Sequence, residues 1–325
     1  MNILITGIHG FVGSNLVSAL KERHSIYGLD IISPEKEGII KTYSWNEMES
    51  LPEVDTIIHL AGKAHDTKNK SEAQTYFDIN TGLTQKIFDY FLQSKAKQFI
   101  FFSSVKAAAD SVEGEFLTED VVPKPIGPYG ESKIAAENYI QLKMRNSLSL
   151  FNSYFSTEKK VYILRPCMIH GPGNKGNLNL LYNVVAKGFP WPLGKFNNFR
   201  SFTNIWNLCW IIEQLILQNP ESGIYNVADD VPISTNILIE LIAASKGKKV
   251  KILHINKTFV NTLAKLGDYC RFPLNSGRLQ KLTENYVVSN QKLKDTLGIK
   301  TLPFDSIEGM KKTLVYFSSQ NNIQP

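Results

Sequence analysis

Within the stretch GPYGESK, residues 127–133, Tyr129 precedes Lys133 by four positions. In a helix that spacing brings both side chains onto one face, where an ammonium can change what a phenol does. A nearby cation favours the charged form of an acid, so the lysine would make the tyrosine a better proton acceptor. The same spacing occurs on solvated helix faces, so the pair gains meaning only from what the rest of the chain sets beside it.

A second constellation lies at the amino end. The apolar run NILIT leads straight into TGIHGFVGSN, where Gly7, Gly10 and Gly13 form G-x-x-G-x-x-G. Glycines there permit a tight turn, let the backbone approach a pyrophosphate, and let the following helix point its N-terminal amides at the anion. A second strand-like run ends in Asp30, twenty residues beyond Gly10. A carboxylate in that place accepts hydrogen bonds from an adenosine ribose and repels the 2'-phosphate of NADP, so the cofactor expected is NAD. His9, beside the loop, could also meet a phosphate.

These groups need a frame. Short apolar runs, NILIT, SIYGLD, VDTIIHLA, QFIFFSS and KVYILRP, alternate with helical stretches such as VGSNLVSALKER and YFDINTGLTQKIFDYFLQSKA. Runs this apolar suit strands covered on both faces, with the helices as crossovers between parallel neighbours. The pattern predicts an α/β fold with a Rossmann-type doubly wound parallel sheet and a smaller, discontinuous C-terminal substrate lobe. The expected division is 1–166 for the dinucleotide domain, with 200–228 returning to it through GIYNVAD, and 167–199 plus 229–325 for the lobe. The stretch NSLSLFNSYFSTEKK reads as a helix end and loop.

Composition sets limits on function. A chain of 325 residues, 43% hydrophobic and 20% charged, has material for about two lobes. No stretch approaches the roughly 20 unbroken apolar residues of a membrane span, and the start leaves no room for a signal peptide, so a cytoplasmic protein with no membrane partner is expected. Cys167, Cys209 and Cys270 are odd in number and widely spaced, which suggests neither disulfides nor a metal site. The net charge of +6 is spread as scattered lysines, without the aromatic and basic module of a nucleic-acid binder.

The glycine loop, HLAG at 59–62, Asn80, the serine pair of FFSS and the Tyr129/Lys133 pair together resemble the extended short-chain dehydrogenase/reductase family. Within it the chain is similar to UDP-sugar 4-epimerases and 4-keto-sugar reductases of bacterial surface-polysaccharide synthesis. The resemblance implies a catalytic set of Ser104, Tyr129 and Lys133. Tyr129 would be the general base, Lys133 would lower its pKa and hold the nicotinamide ribose, and Ser104 rather than Ser103 would bond the reacting oxygen. It implies NAD contacts at Gly7, Gly10, Phe11, Val12, Gly13, Asp30, Ile31, Leu60, Ala61, Gly62 and Asn80. It also implies that Ser104, Tyr129, Asn177, Leu178, Leu193, Arg200 and Arg278 meet a nucleotide diphosphate sugar, with Phe196 beside the uracil. His59 and His65 are expected to be structural, and a homodimer is expected.

Departures from the family pattern narrow the chemistry. Dehydratases of the family carry Asp-Glu directly after the catalytic threonine, whereas this chain has Val105 and Lys106. Epimerases usually continue with an aromatic residue or Asn and then Gly, where Ala108 and Ala109 stand here. The expected function is an NAD-dependent 4-epimerase of a UDP-hexose or UDP-N-acetylhexosamine. The alternatives are an NAD(P)H-dependent reductase of a UDP-4-keto-6-deoxy sugar and a non-catalytic NAD-binding scaffold.

Overall fold

The structure is a computed structural model that describes residues 1–64, 72–150, 159–270 and 275–321. The strands are β1 (Asn2–Thr6), β2 (Ser25–Leu29), β3 (Lys41–Tyr43), β4 (Thr56–His59), β5 (Gln98–Phe102), β6 (Lys160–Pro166), β7 (Met168–His170), β8 (Phe199–Arg200), β9 (Phe202–Asn204), β10 (Gly223–Val227) and β11 (Ile233–Ser234). The first half of the chain carries helices α1 (Phe11–Leu20), α2 (Ala73–Tyr76), α3 (Leu83–Gln93), α4 (Val105–Ala108) and α5 (Pro128–Leu150). The second carries α6 (Asn177–Ala186), α7 (Ile205–Gln218), α8 (Thr235–Ser245), α9 (Lys257–Cys270), α10 (Ser276–Thr283), α11 (Gln291–Leu297) and α12 (Ser306–Asn321).

Seven strands form one parallel sheet in the order β10-β6-β5-β4-β1-β2-β3. The period-two alternation of a strand divides its side chains between two buried layers. Ile3, Ile5, Ile58, Ile100 and Leu164 enter one core beneath α1 and α7. Leu4, Ile57, Phe99, Phe101 and Ile163 enter the other, beneath α3 and α5. Both faces are therefore apolar, which is why these runs lack the polar alternation of a half-exposed sheet. Chain order reverses between β1 and β4, and that switch point opens a crevice at the strands' carboxyl ends.

A second core gathers residues from α6, α8, α9, α10 and α12, among them Leu178, Tyr182, Ile239, Ile242, Val260 and Met310. The chain returns to the sheet through α7 and β10 between the parts of this lobe. One element departs from the expected division: Leu293 and Leu297 of α11, with Leu302 after it, pack in the sheet's core rather than the second one. Their one-turn spacing forms a stripe that the uncovered face beside β10 and α7 accepts. The edge strand β3 was not anticipated either, because three residues give no readable period.

Candidate active site

The glycine loop sits at the end of β1, against the switch point. Gly7 has φ +68, and a Cβ on it would lie 2.9 Å from the Ala61 nitrogen. A Cβ on Gly13 would lie 2.5 Å from the Ile8 oxygen and 2.6 Å from the Gly7 oxygen. The loop is thus wound too tightly for side chains at these places. The amino end of α1, at Phe11, has no side-chain cap and no acid in its first turn. Its first residues line the crevice, the arrangement that suits an anion.

Asp30, at the tip of β2, is locked beside this loop. Its Oδ2 accepts the His9 amide at 3.0 Å and its Oδ1 accepts the Ile31 amide at 2.7 Å. Ile31 stands open to solvent next to it. The His9 ring turns away to Thr42, 3.1 Å from Nε2 to Oγ1, and burial lowers its pKa.

Beyond β4, HLAG passes under the site. A π-helical turn at Phe77–Gly82 presents buried Asn80, whose Oδ1 accepts the Lys63 amide at 2.7 Å. Asn80 Nδ2 donates to the Lys63 carbonyl at 3.1 Å and to Ser132 Oγ at 2.9 Å. Such widened turns recur at functional sites. His59 is fully buried in a hydrogen-bond chain, with Nδ1 2.6 Å from Thr6 Oγ1 and Nε2 2.9 Å from Thr84 Oγ1. Thr84 donates its proton to the Asn80 carbonyl at 2.6 Å, so Nε2 must carry the imidazole proton and Nδ1 must accept. Burial pushes the His59 pKa down to about 3, so the ring is neutral and structural in its contacts. His65 lies outside the described residues.

Ser104, at the start of α4, meets Tyr129 and Lys133 of α5. Ser104 caps α4, accepting the Lys106 amide at 3.2 Å, which leaves its hydroxyl proton to donate; it is hydrogen-bonded to Tyr129. Ser103, pointing the other way, donates to Glu137 Oε1 at 2.5 Å. Gly130 is needed for the approach of α5, since a Cβ there would lie 2.5 Å from the Lys106 oxygen. Buried Lys133 donates to the Phe102 carbonyl at 2.7 Å, and a Cβ on Gly62 would come within 3.1 Å of its Nζ.

One electrostatic expectation needs correcting. Burial raises the Tyr129 pKa above its ordinary value, the Ser104 hydrogen bond opposes this, and Tyr76 adds to it. Lys133 is not what opposes the rise: its Nζ is turned toward β5, and burial pushes its own pKa down to about 8 against the pull of Glu137. Loss of water around both groups outweighs their mutual help in this arrangement.

All three reactive groups line one cavity of about 500 Å³, together with Gly7, Phe11, Val12, Leu60 and Gly62 on one side and Asn177 and Arg200 on the other. Arg200 hydrogen-bonds the Lys281 carbonyl and lies 3.4 Å from Glu284 Oε1. The remaining expected contacts are placed differently. Leu178 and Leu193 bury their side chains in the second core, which leaves Leu178 its backbone amide at the start of α6 as the group that could meet a ligand. Phe196 packs partly against that core, under Lys257. Arg278 is exposed on α10 and does not line the cavity.

Residues 3–228 match the NAD dependent epimerase/dehydratase family. The chain belongs to that family. A UDP-glucose 4-epimerase from Vibrio cholerae is 30% identical over 99% of this chain and 97% of its own. The N-acetyl-alpha-D-glucosaminyl-diphospho-ditrans,octacis-undecaprenol 4-epimerase of Escherichia coli O157:H7 is 27% identical over 97% and 95%. Nucleotide-sugar reductases are relatives too. Among solved structures, a UDP-glucuronic acid 4-epimerase from Bacillus cereus in complex with NAD has a TM-score of 0.73, at 19% identity, over 98% of this chain and 99% of that one. The family is NAD-dependent and its members are enzymes, sugar epimerases and reductases among them. Among the described residues no helix is long and apolar enough to cross a membrane, and no cluster of metal-ligating side chains occurs.

The geometry also points to residues that sequence reading missed. Glu137 and Arg165 form a bidentate pair beneath Lys133, with Nε to Oε1 at 2.9 Å and Nη2 to Oε2 at 2.6 Å. Glu137 stands one turn past Lys133, a signal that was available. Glu284 and Tyr286 line the cavity opposite Ser104, yet nothing local in the sequence links them to a site some 180 residues earlier.

Proposed function

We propose that this protein is an NAD-dependent 4-epimerase of a UDP-linked hexose or N-acetylhexosamine. The observation that carries the reading is the convergence of Ser104, Tyr129 and Lys133 on one cavity bounded by the glycine loop. NAD bound in the groove supplies a reversible hydride acceptor, and its cationic nicotinamide supplies the positive charge that a buried phenol needs in order to ionise.

The glycine-loop amides at Phe11 and Val12 would hold the pyrophosphate, Asp30 the adenosine ribose, and Ile31 would lie by the adenine. Leu60, Ala61, Gly62 and Asn80 would line the nicotinamide side, and Lys133 would hold its ribose. Tyr129 takes the proton from the sugar's C4 hydroxyl and returns it, while Ser104 donates to the same oxygen and fixes its position. The Tyr129 proton must move in both half-steps, on either face of a keto sugar that turns over between them. Asn177 and the Leu178 amide, at the start of α6, meet the diphosphate together with Arg200. Arg278 and Leu193 have no direct part in the apo arrangement. Residues 1–166 with 200–228 form the cofactor domain, and a homodimer is the proposed assembly.

A reductase of a UDP-4-keto-6-deoxy sugar shares the same half-step at C4. Val105 and Lys106 after Ser104 lack the extra acid and base that dehydration needs, which is compatible with either reading. Asp30 favours NAD and so favours the epimerase, because biosynthetic reduction draws on NADPH. The deciding assay incubates the protein with UDP-glucose, UDP-N-acetylglucosamine and a UDP-4-keto-6-deoxy sugar, following C4 stereochemistry and NAD(P)H. Epimerisation without added NAD(P)H is expected. Stoichiometric NAD(P)H consumption on the keto sugar, with no epimerisation, would overturn the assignment.

A further inference from the structure

We infer that Glu137 is a positioning residue for the proton chemistry of this site, holding Lys133 in its protonated, aligned form through a buried clamp with Arg165 and Ser103. The inference rests on the proposed function. Glu137 is wholly buried, as are Arg165 and Ser103. Its Oε1 receives both Ser103 Oγ at 2.5 Å and Arg165 Nε at 2.9 Å, and its Oε2 receives Arg165 Nη2 at 2.6 Å. The third arm, Arg165 Nη1, has no partner among the described residues, so Glu137 carries the burden of compensating this cation.

The clamp ties α5, which carries Tyr129 and Lys133, to the end of β5 before Ser104 and to the neighbouring strand β6. Glu137 lies on α5, one turn past Lys133 and two past Tyr129. Arg165 lies on β6, which pairs with β5. Ser103 falls between Phe102, whose carbonyl receives Lys133 Nζ, and Ser104, which is bonded to Tyr129. One carboxylate therefore fixes the backbone that orients the lysine and the serine, and it sets the charge of the lysine. Burial pushes the Lys133 pKa down to about 8, and the attraction of Glu137 is what opposes that fall. The other groups facing Lys133 do not replace it. His59 from β4 is neutral, Tyr129 and Tyr76 are uncharged phenols, and Lys63, over the Tyr76 ring, and Arg165 carry like charge.

The test reads Lys133 itself, in protein labelled with ¹³C at the lysine ε carbon, with the Lys133 signal assigned by its loss in Lys133→Met. In Glu137→Gln the titration midpoint of Lys133 is expected about one pH unit or more below the native midpoint. The alkaline limb of the epimerisation profile, where turnover is lost as Lys133 gives up its proton, is expected to move the same way. Because Glu137→Gln leaves a buried guanidinium unpaired and can unfold the chain, Glu137→Gln/Arg165→Met is compared with Arg165→Met, which lacks the like charge of Arg165 in both cases, and the double variant is expected to show the lower Lys133 midpoint of the two. Glu137→Asp keeps the charge and is expected to restore most of the native midpoint. A merely structural clamp would lower turnover equally at every pH, and equal Lys133 midpoints in the double variant and in Arg165→Met overturn the inference. Failure of the proposed function shows separately, as a native protein that turns over no sugar nucleotide, while the midpoint comparison still decides the role of Glu137.

Discussion

Thr6 Oγ1 lies 2.6 Å from His59 Nδ1, joining the last residue of β1 to the last residue of β4 at the point where chain order in the sheet reverses. The same hydroxyl accepts the Ala61 amide at 3.0 Å, so one threonine fixes both walls of the crevice. Because this histidine is neutral in the fold and ionisable in the unfolded chain, it gives the site's frame a pH dependence. With a folded pKa of about 3 against an ordinary 6.5, its contribution is complete above pH 6.5 and is lost as pH falls toward 3. At pH 5 the loss from this residue is about 2 kcal/mol. Urea unfolding of native protein and His59→Gln at pH 7.5 and pH 5 checks this, with the flatter dependence expected in the variant; parallel losses in both would refute it.

Tyr129→Phe keeps the ring and removes the proton carrier. Turnover is expected to fall by roughly 10²–10⁴-fold, while NAD still raises the melting temperature. Activity within a few-fold of native would mean that another group is the base.

Gly13→Ala puts a methyl group within 2.6 Å of two backbone oxygens that have no room to move. A destabilisation of about 1–3 kcal/mol is expected, with NAD affinity lost more steeply than stability because α1 is pushed off the loop. Denaturant titration and calorimetric NAD binding measure the two effects.

Asp30→Ala removes an acceptor that also holds the His9 amide. NAD binding is expected to weaken by roughly tenfold or more, while NADP, no longer repelled, loses less or gains. The opposite ranking by fluorescence titration would reverse the cofactor assignment.

Arg200→Met removes the cation across the cavity from Asn177. Its effect is expected mainly in KM for the sugar nucleotide, roughly tenfold to a hundredfold, with kcat less changed, because the diphosphate is bound equally before and during reaction. A loss confined to kcat would exclude a binding role.

Sequence alone determined the sheet, the glycine loop and the placing of Tyr129 and Lys133 one turn apart on a helix, since each rests on local physics. Strands buried on both faces read as apolar runs, a pyrophosphate turn requires glycines at fixed steps, and a helix brings residues four apart together whatever surrounds it. Tertiary structure decided what depends on packing between distant segments. It set Ser103 on Glu137 and Ser104 toward Tyr129, a division of roles that the family resemblance implied and local spacing does not give. It sent Leu178 and Leu193 into a core, moved α11 onto the sheet, and brought Glu284 and Tyr286 to the cavity across the length of the chain. It also added burial, which no spacing reveals and which raises the Tyr129 pKa and lowers that of Lys133.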